Sequence, residues 1–374
     1  MIFFKHLIFG VILLITIFST TCSNTTKPHK NYDYGWKRIE LGGIIFPDVV
    51  SSDRLYVAYE NGVAIFDDMT QPPNLDVKLD IAYSDIIISY FPGMTHKMIA
   101  YHSSARSYNL HISEFESNNF ISVGSSDFSS YYGENYEVIG VVRGIELDAD
   151  KKIHRFYASM KNLNEISTTP LFIVYFDVFL DNDNNLQLIN KGVWEFLSNN
   201  IHVFHIGVSI RYQNMVLYSY YNAYYQEQPA VAVLYDDLTF IKLDYSQPPF
   251  IRSFWIWNDV LYAQRGASEV HFSQDGLNWE FLGNFDILVS NGVEIDGYLF
   301  FSNRDQQQKK EYVNILEKRN NDIYLYQHQF GFDENIISIN KYQHHLVVTT
   351  NYAVYYNVFD DIINKKKYIK KISL

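Results

Sequence analysis

An all-β fold is predicted by three features of this 374-residue chain. From Tyr34 onward, apolar residues alternate over runs of five to eight, with Gly, Asn, Asp, Ser and Pro between the runs, and no long helical period appears. Aromatic side chains make up 17% of the residues, 31 Tyr and 27 Phe among them, and these suit pleated, half-buried surfaces. A strand–turn–strand unit recurs along the chain. Its clearest copy is RLYVAYENGVAIFDD, Arg54 to Asp68. Strands are expected over Leu55 to Tyr59 and Val63 to Asp67, with Asn61-Gly62 supplying the positive φ angles of a tight hairpin.

The other copies set the architecture. HLVVTTNYAVYYNVFDD, His345 to Asp361, aligns with the first from Leu346 onward, and DVLYAQRGASEVHFSQDG, Asp259 to Gly276, is another version. Weaker copies begin at Lys97, Lys152, Asn214 and Gly297, and exits recur as FDDMT at Phe66, YDDLT at Tyr235 and FDDII at Phe359. Entries near 54, 97, 152, 214, 260, 297 and 345 are 37 to 62 residues apart. Units of that size, stacked around an axis so that each covers its neighbour's faces, make a β-propeller, with blades of ~40–50 residues. Residues 34–374 divide into seven blades of about 49 residues. Seven fits best, and six and eight are the neighbouring counts. A short strand at Lys37 to Leu41 is expected to pair into the last blade and close the ring, since closure protects strand edges. The competing architecture is a β-sandwich array, which calls for shorter and less regular repeats.

The N-terminus reads as an export signal. Lys5 and His6 precede LIFGVILLITIF, Leu7 to Phe18, a run too short for a bilayer span of ~20 residues and of the right length for a signal's apolar core. Cys22, the only cysteine, follows at once in FSTTCSN. This arrangement resembles a bacterial lipoprotein signal, although Ser19 and Thr21 depart from the commonest residues there. The resemblance implies cleavage before a lipidated Cys22 and a place in the cell envelope. The expected organisation is a signal at 1–21, a lipidated cysteine and polar tether at 22–33, and the propeller at 34–374. Loss of 1–21 removes one basic residue, Lys5, and leaves 29 basic against 42 acidic residues. An acidic surface of that kind disfavours nucleic acid, so attachment to the membrane is expected through acyl chains. With one cysteine there is no internal disulfide.

The stretch HFSQDGLNWEF carries Ser273, Asp275, Gly276 and Trp279. SQDGLNW resembles the Asp-box of BNR-repeat propellers, a family that includes sialidases, other glycosidases and many non-enzymes. Asp275 and Gly276 are adjacent here, where that family often has a residue between them. LYVAYENGVAIFD is similar to repeats of sensor-type and surface propellers. Physically the box is a turn device: Asp275 accepts from nearby amides, Gly276 relieves the turn and Trp279 packs back on the blade. The arginine-rich setting of a sialidase site has no counterpart among the ten arginines. Arg252, in PPFIRSFWIW, comes nearest.

Other constellations point to structure. DNDNNL at Asp181 has the alternation of a calcium loop but Leu186 where Gly is required, and reads as a hairpin turn. His202 and His205, three apart on a strand, point to opposite faces. No HExxH, Cys-His cluster, GxSxG, Walker or GxGxxG pattern is present, so neither metal nor cofactor is expected. Two Tyr-rich stretches are candidate binding loops: SSYYGENY, with Tyr131, Tyr132 and Tyr136, and YSYYNAYYQEQP, with Tyr220, Tyr221, Tyr224 and Tyr225. KKKYIKK, Lys365 to Lys371, is a basic last strand or tail, or a contact for anionic envelope polymers. The expected function is a non-enzymatic binding module for a protein or glycan. The alternatives are a propeller glycosidase and an envelope assembly scaffold.

Overall fold

Each recurring unit folds as a four-stranded antiparallel meander in the computed structural model. The structure describes residues between Lys30 and Ile372, almost continuously over 30–77 and 251–372 and strand by strand between 83 and 243. Cys22, His202 and four of the candidate tyrosines (Tyr131, Tyr132, Tyr224 and Tyr225) lie outside the described residues.

Seven sheets follow one another along the chain and are numbered here as blades 1 to 7. Blade 1 comprises Ile45–Ser51, Leu55–Tyr59, Gly62–Phe66 and Asn74–Val77, and blade 2 Tyr83–Ser89, Met98–Ser103, Leu110–Glu114 and Phe120–Val123. Blade 3 comprises Tyr136–Asp148, Ile153–Asn162, Phe172–Leu180 and Leu186–Trp194, and blade 4 Phe204–Tyr212, Met215–Asn222, Ala230–Tyr235 and Phe240–Leu243. Blade 5 comprises Ile251–Trp257, Val260–Arg265, Glu269–Ser273 and Glu280–Asn284, and blade 6 Ser290–Ile295, Tyr298–Asp305, Lys310–Arg319 and Asp322–Phe332. Blade 7 takes Ile336–Tyr342, His345–Thr350 and Ala353–Val358 from the end of the chain and Lys37–Glu40 from its beginning. All seven sequence entries fall at the start of a second strand. First strands of successive blades touch from 1 to 3 and from 4 through 7 back to 1, which makes the molecule a β-propeller.

Only five of these sheets are plain four-stranded blades, so a count restricted to that form gives five rather than the expected seven. The other two sheets gain a fifth strand from the chain ends: Lys30–Asn31 lies outside Lys37–Glu40 on blade 7, and Lys367–Ile372 lies outside the fourth strand of blade 6. The ring-closing strand is where the sequence placed it, with Lys37, Arg38, Ile39 and Glu40 opposite Tyr356, Tyr355, Val354 and Ala353. Lys30 and Asn31, expected in the tether, already belong to the sheet.

The core lies between blades, which explains why the second strands, where their side chains are described, are buried on both faces. In blade 6, Leu299 and Phe301 pack toward Trp255 and Trp257 of blade 5, while Phe300 between them packs toward Ile339 and Val348 of blade 7. Successive side chains on a strand point to opposite faces, so each face finds a neighbouring blade. The same logic joins blade 4 to 5 through Leu217 and Phe254, and blade 7 to 1 through Val347 and Val57.

Two expectations are corrected and a third is made specific. Gly62 is not a turn residue but opens the third strand of blade 1, paired with Tyr59. Tyr136 begins the first strand of blade 3, and Tyr220 and Tyr221 sit in the second strand of blade 4 opposite Ile206 and His205. These three are ladder residues rather than loop residues, because aromatic side chains stabilise strand pairs as readily as they decorate loops. The basic C-terminal tract is the extra strand of blade 6 with much of its charge paired: Lys366 to Glu317 (3.0 Å), Lys370 to Asp286 (3.8 Å) and Lys371 to Asp322 (2.8 Å).

Candidate functional site

A four-stranded meander puts its first and third turns at one end and its second turn, with the connection to the next blade, at the other. The two mouths of the ring are therefore built from different loops. The mouth formed by the first and third turns is locked from blade to blade. Tyr212, at the end of the first strand of blade 4, donates its hydroxyl to Asp259 O and Gln274 O of blade 5, both at 2.9 Å. Trp257 of blade 5 donates Nε1 to Gly297 O of blade 6 (3.0 Å), and Tyr342 of blade 7 reaches Asp67 O of blade 1 (2.8 Å). Gln213 and Gln343, each following a latch tyrosine, adopt φ values of 52° and 53° and donate to Gln274 O and Asp67 O.

The Asp-box belongs to this locked mouth, as the third turn of blade 5. Asp275 Oδ1 accepts from Leu277 N (2.9 Å), Asn278 N (2.8 Å) and Ser273 Oγ (3.0 Å), and Oδ2 accepts from Asn278 Nδ2 (2.7 Å). Those donors hold its carboxyl well below the usual carboxylate range. Gly276 has φ +75°, and a Cβ there would stand 2.8 Å from Met215 Sδ of blade 4, so both backbone and packing demand glycine. Trp279 packs against Phe254, with ring centroids 6.2 Å apart. The FDD exit of blade 1 is a reduced version of the same device: Asp68 Oδ1 accepts from Thr70 N (2.8 Å) and Thr70 Oγ1 (2.9 Å). Every Asp-box residue is thus committed to building and docking a blade. Asp181 is likewise a turn residue, accepting from Asn185 N at 2.8 Å.

The opposite mouth is irregular in every blade. Each first strand slips register near its start, between Ile45/Val49, Tyr83/Asp85, Val138/Gly140, Ile206/Ser209, Ile251/Ser253, Ser290/Val293 and Ile336/Ser338. Bulges re-aim side chains and leave backbone groups outside the ladder, and they are over-represented at barrel rims and functional sites. Here they form a ring around the axis. Arg252 is the extra residue of blade 5 and is exposed.

Between blades 7 and 1 this mouth carries a rigid platform. Ile45 N donates to Asn351 O (2.9 Å), Glu60 N donates to Ile44 O (2.7 Å), and Ile44 N donates to Glu60 Oε2 (3.2 Å). Three turns are thereby stitched together. They present two large apolar side chains to solvent, Ile44 at 49% and Tyr352 at 58% exposure. Beneath Tyr352, Thr350 Oγ1 donates to Glu334 and accepts from Ala353 N (3.2 Å), and Glu334 in turn accepts from Arg38 NH2 (3.0 Å). Arg38 also pairs with Glu40 and lies over the Tyr355 ring. An exposed ring, an exposed branched aliphatic chain and the Glu60 carboxylate can stack on a sugar face or receive an apolar side chain. The described residues hold no group of three or more His, Cys, Asp or Glu able to bind a metal ion.

Sequence reasoning missed the latches and the platform. The latches had a signal, the aromatic-Gln or aromatic-Asn pairs of RYQN, IWND and KYQH just ahead of the entries near 214, 260 and 345. The platform had none, because Ile44 and Tyr352 are 308 positions apart in the numbering and come to the same mouth through the bond between their neighbours Ile45 and Asn351.

Comparison with known proteins bears on the fold alone. No protein-family model matches the chain, and no curated protein does. Among solved structures, an oligogalacturonate lyase in complex with manganese superposes with TM-score 0.51 at 11% identity, over 89% of this chain and 96% of that one. BamB from Moraxella catarrhalis gives 0.46 at 9% identity, over 88% and 99%. An ancestral GH74 enzyme gives 0.46 at 12%, over 89% of this chain and 50% of that one.

Proposed function

We propose that this protein is a lipid-anchored envelope propeller that binds a protein or glycan at its bulged mouth and catalyses no reaction. The observation that supports this reading is the division of labour between the mouths. The aromatic latches Tyr212, Trp257 and Tyr342 and the Asp-box lie at one mouth. The other carries bulges and an exposed Tyr352–Ile44 platform on hydrogen-bonded loops, the usual arrangement of a binding surface on a rigid scaffold. Ordered aromatic anchors are where binding energy concentrates.

The test is a binding measurement. The soluble form, residues 23–374, is applied to a glycan panel and to solubilised envelope proteins, beside the double variant Ile44→Asp/Tyr352→Ala. Both positions are exposed, so stability should change by less than ~1 kcal/mol. Affinity for any ligand found should fall at least tenfold, corresponding to about 1.4 kcal/mol or more. Ligands bound equally by both forms would refute the platform. Turnover of fluorogenic glycosides, lost on changing one carboxylate at the bulged mouth, would refute the non-enzymatic reading.

The anchor rests on Cys22 and its signal. Cys22→Ala in the full chain should move the protein from the membrane to the soluble fraction of an envelope preparation. Unchanged retention of that variant would remove lipidation from the proposal.

A further inference from the structure

The strand that closes the ring is flanked by two buried histidines. Trp36, fully buried at the head of the strap Lys37–Glu40, stands edge-on to the ring of His328 in the fourth strand of blade 6, with centroids 5.7 Å apart. His328 Nδ1 accepts from Trp36 Nε1 (3.4 Å) and from Phe330 N (3.2 Å). A protonated imidazole has no acceptor, so a proton at Nδ1 would turn it against both donors. His345, 5% exposed at the start of the second strand of blade 7, lies edge-on to Tyr356 at 5.2 Å. Tyr356 is the partner of Lys37 in the strap, and Lys37 Nζ stands 5.5 Å over its ring. A charged His345 would therefore sit beneath a lysine of the strap.

The surroundings of both histidines disfavour charge. Around His328 are Tyr34, whose ring lies 6.1 Å away, and Lys365 beyond the short helix Phe359–Asn364, itself paired with Asp361 at 2.8 Å. Around His345 are His344, with ring centroids 4.0 Å apart, Lys37 and Asp68; the first two oppose a proton and Asp68 favours it. Burial is the largest influence at each site, and both imidazoles are pushed down to about 4.

We propose that His328 and His345 form an acid latch on the ring-closing strap, holding it while neutral and releasing it when both are charged. The sign follows from linkage. Each folded-state value lies below the free value of ~6.5, so the closed strap binds fewer protons than an open state in which both imidazoles reach solvent. The contribution is full above pH ~6.5 and is lost as pH falls toward 4. By pH 5 it amounts to on the order of tenfold or more per histidine in the closing equilibrium. Opening would leave blade 7 with its three C-terminal strands and expose the edge of Ala353–Val358.

The experiment is hydrogen exchange by mass spectrometry on residues 23–374 from pH 7 to 5, corrected for the intrinsic pH dependence of exchange. Protection of residues 36–40 should fall at least tenfold, while Val260–Arg265 of blade 5 keeps its protection. His328→Asn places an acceptor where Nδ1 is, and His345→Phe keeps a ring on Tyr356; neither titrates. The double variant should hold the strap equally at pH 7 and 5. A strap whose protection does not change with pH in the unaltered protein would overturn the latch. So would loss of protection in blade 5 at the same pH, or a double variant with the original pH dependence. Should the double variant fail to fold, the two results on the unaltered protein still decide.

Discussion

Asp177→Ala is expected to lower the unfolding free energy by about 3–5 kcal/mol, the cost of leaving a buried guanidinium without its carboxylate. Arg155 and Asp177 face each other across the second and third strands of blade 3, at 5% and 4% exposure. The pairing is two-pronged: Arg155 Nε to Asp177 Oδ1 at 2.6 Å and NH2 to Oδ2 at 2.7 Å. Asn190 Nδ2 adds a third donor at 3.1 Å, and the guanidinium lies over the Tyr175 ring, 5.2 Å from its centre. A pair this well bonded is costly to break but contributes little net stability, because both ions lost their hydration on folding. The double variant Arg155→Met/Asp177→Leu should therefore recover most of the loss. Urea midpoints of the three proteins make the comparison. A single variant within 1 kcal/mol of the original, or a double variant no better than the single, would show that the pair is not the buried ion pair described.

Trp36→Ala should be similarly severe, at about 3–5 kcal/mol for an indole removed from a packed core. The indole contacts Phe332 edge-on at 5.2 Å and shares a core with Phe300, Ile339 and Tyr355 of blades 6 and 7. Its loss would do more than leave a cavity. Trp36 anchors the strap, and a loosened strap uncovers the third strand of blade 7, an edge able to pair with another chain. The expected result is a lower urea midpoint together with concentration-dependent association in size-exclusion chromatography. A stable, monomeric variant would mean that the ladder from Lys37 to Glu40 suffices without the indole.

The fold was legible because the repeat writes the same physics seven times. The entries at Leu55, Met98, Ile153, Met215, Val260, Tyr298 and His345 are second strands; where their side chains are described, these strands are buried on both faces, and burial forces an apolar run. The closing strand could be foreseen at Lys37–Glu40 because a ring with open edges is unfavourable. Of the two fifth strands, Lys30–Asn31 is too short to carry a period, while KKKYIKK could be read as a last strand but not as one added to blade 6, where its lysines find carboxylates across the fold. The bulges were missed because one extra residue breaks alternation without any compositional mark. Tyr220 and Tyr221 were misplaced because tyrosine clusters look alike in a ladder and in a loop. The platform needs Ile44 and Tyr352 brought to the same mouth through the bond between Ile45 and Asn351, and no local pattern records that.

Ring closure also governs how the chain can fold. Asn357 Nδ2 reaches Tyr34 O at 3.0 Å across 323 positions of sequence. The first segment of the propeller to be made has no partner until nearly the last has followed. For a loop of that length the entropic cost of meeting grows only as the logarithm, on the order of 5 kcal/mol. Yet no other contact can be exchanged for it along the way. Blades 1 to 6 can form in order as the chain emerges, each a local meander, while Lys37–Glu40 waits without a partner until the three C-terminal strands of blade 7 are made. Slow, all-or-none completion is therefore built into the connectivity, and a truncated chain lacking Ala353–Val358 would carry six formed blades and a free, pairing-prone N-terminal strand.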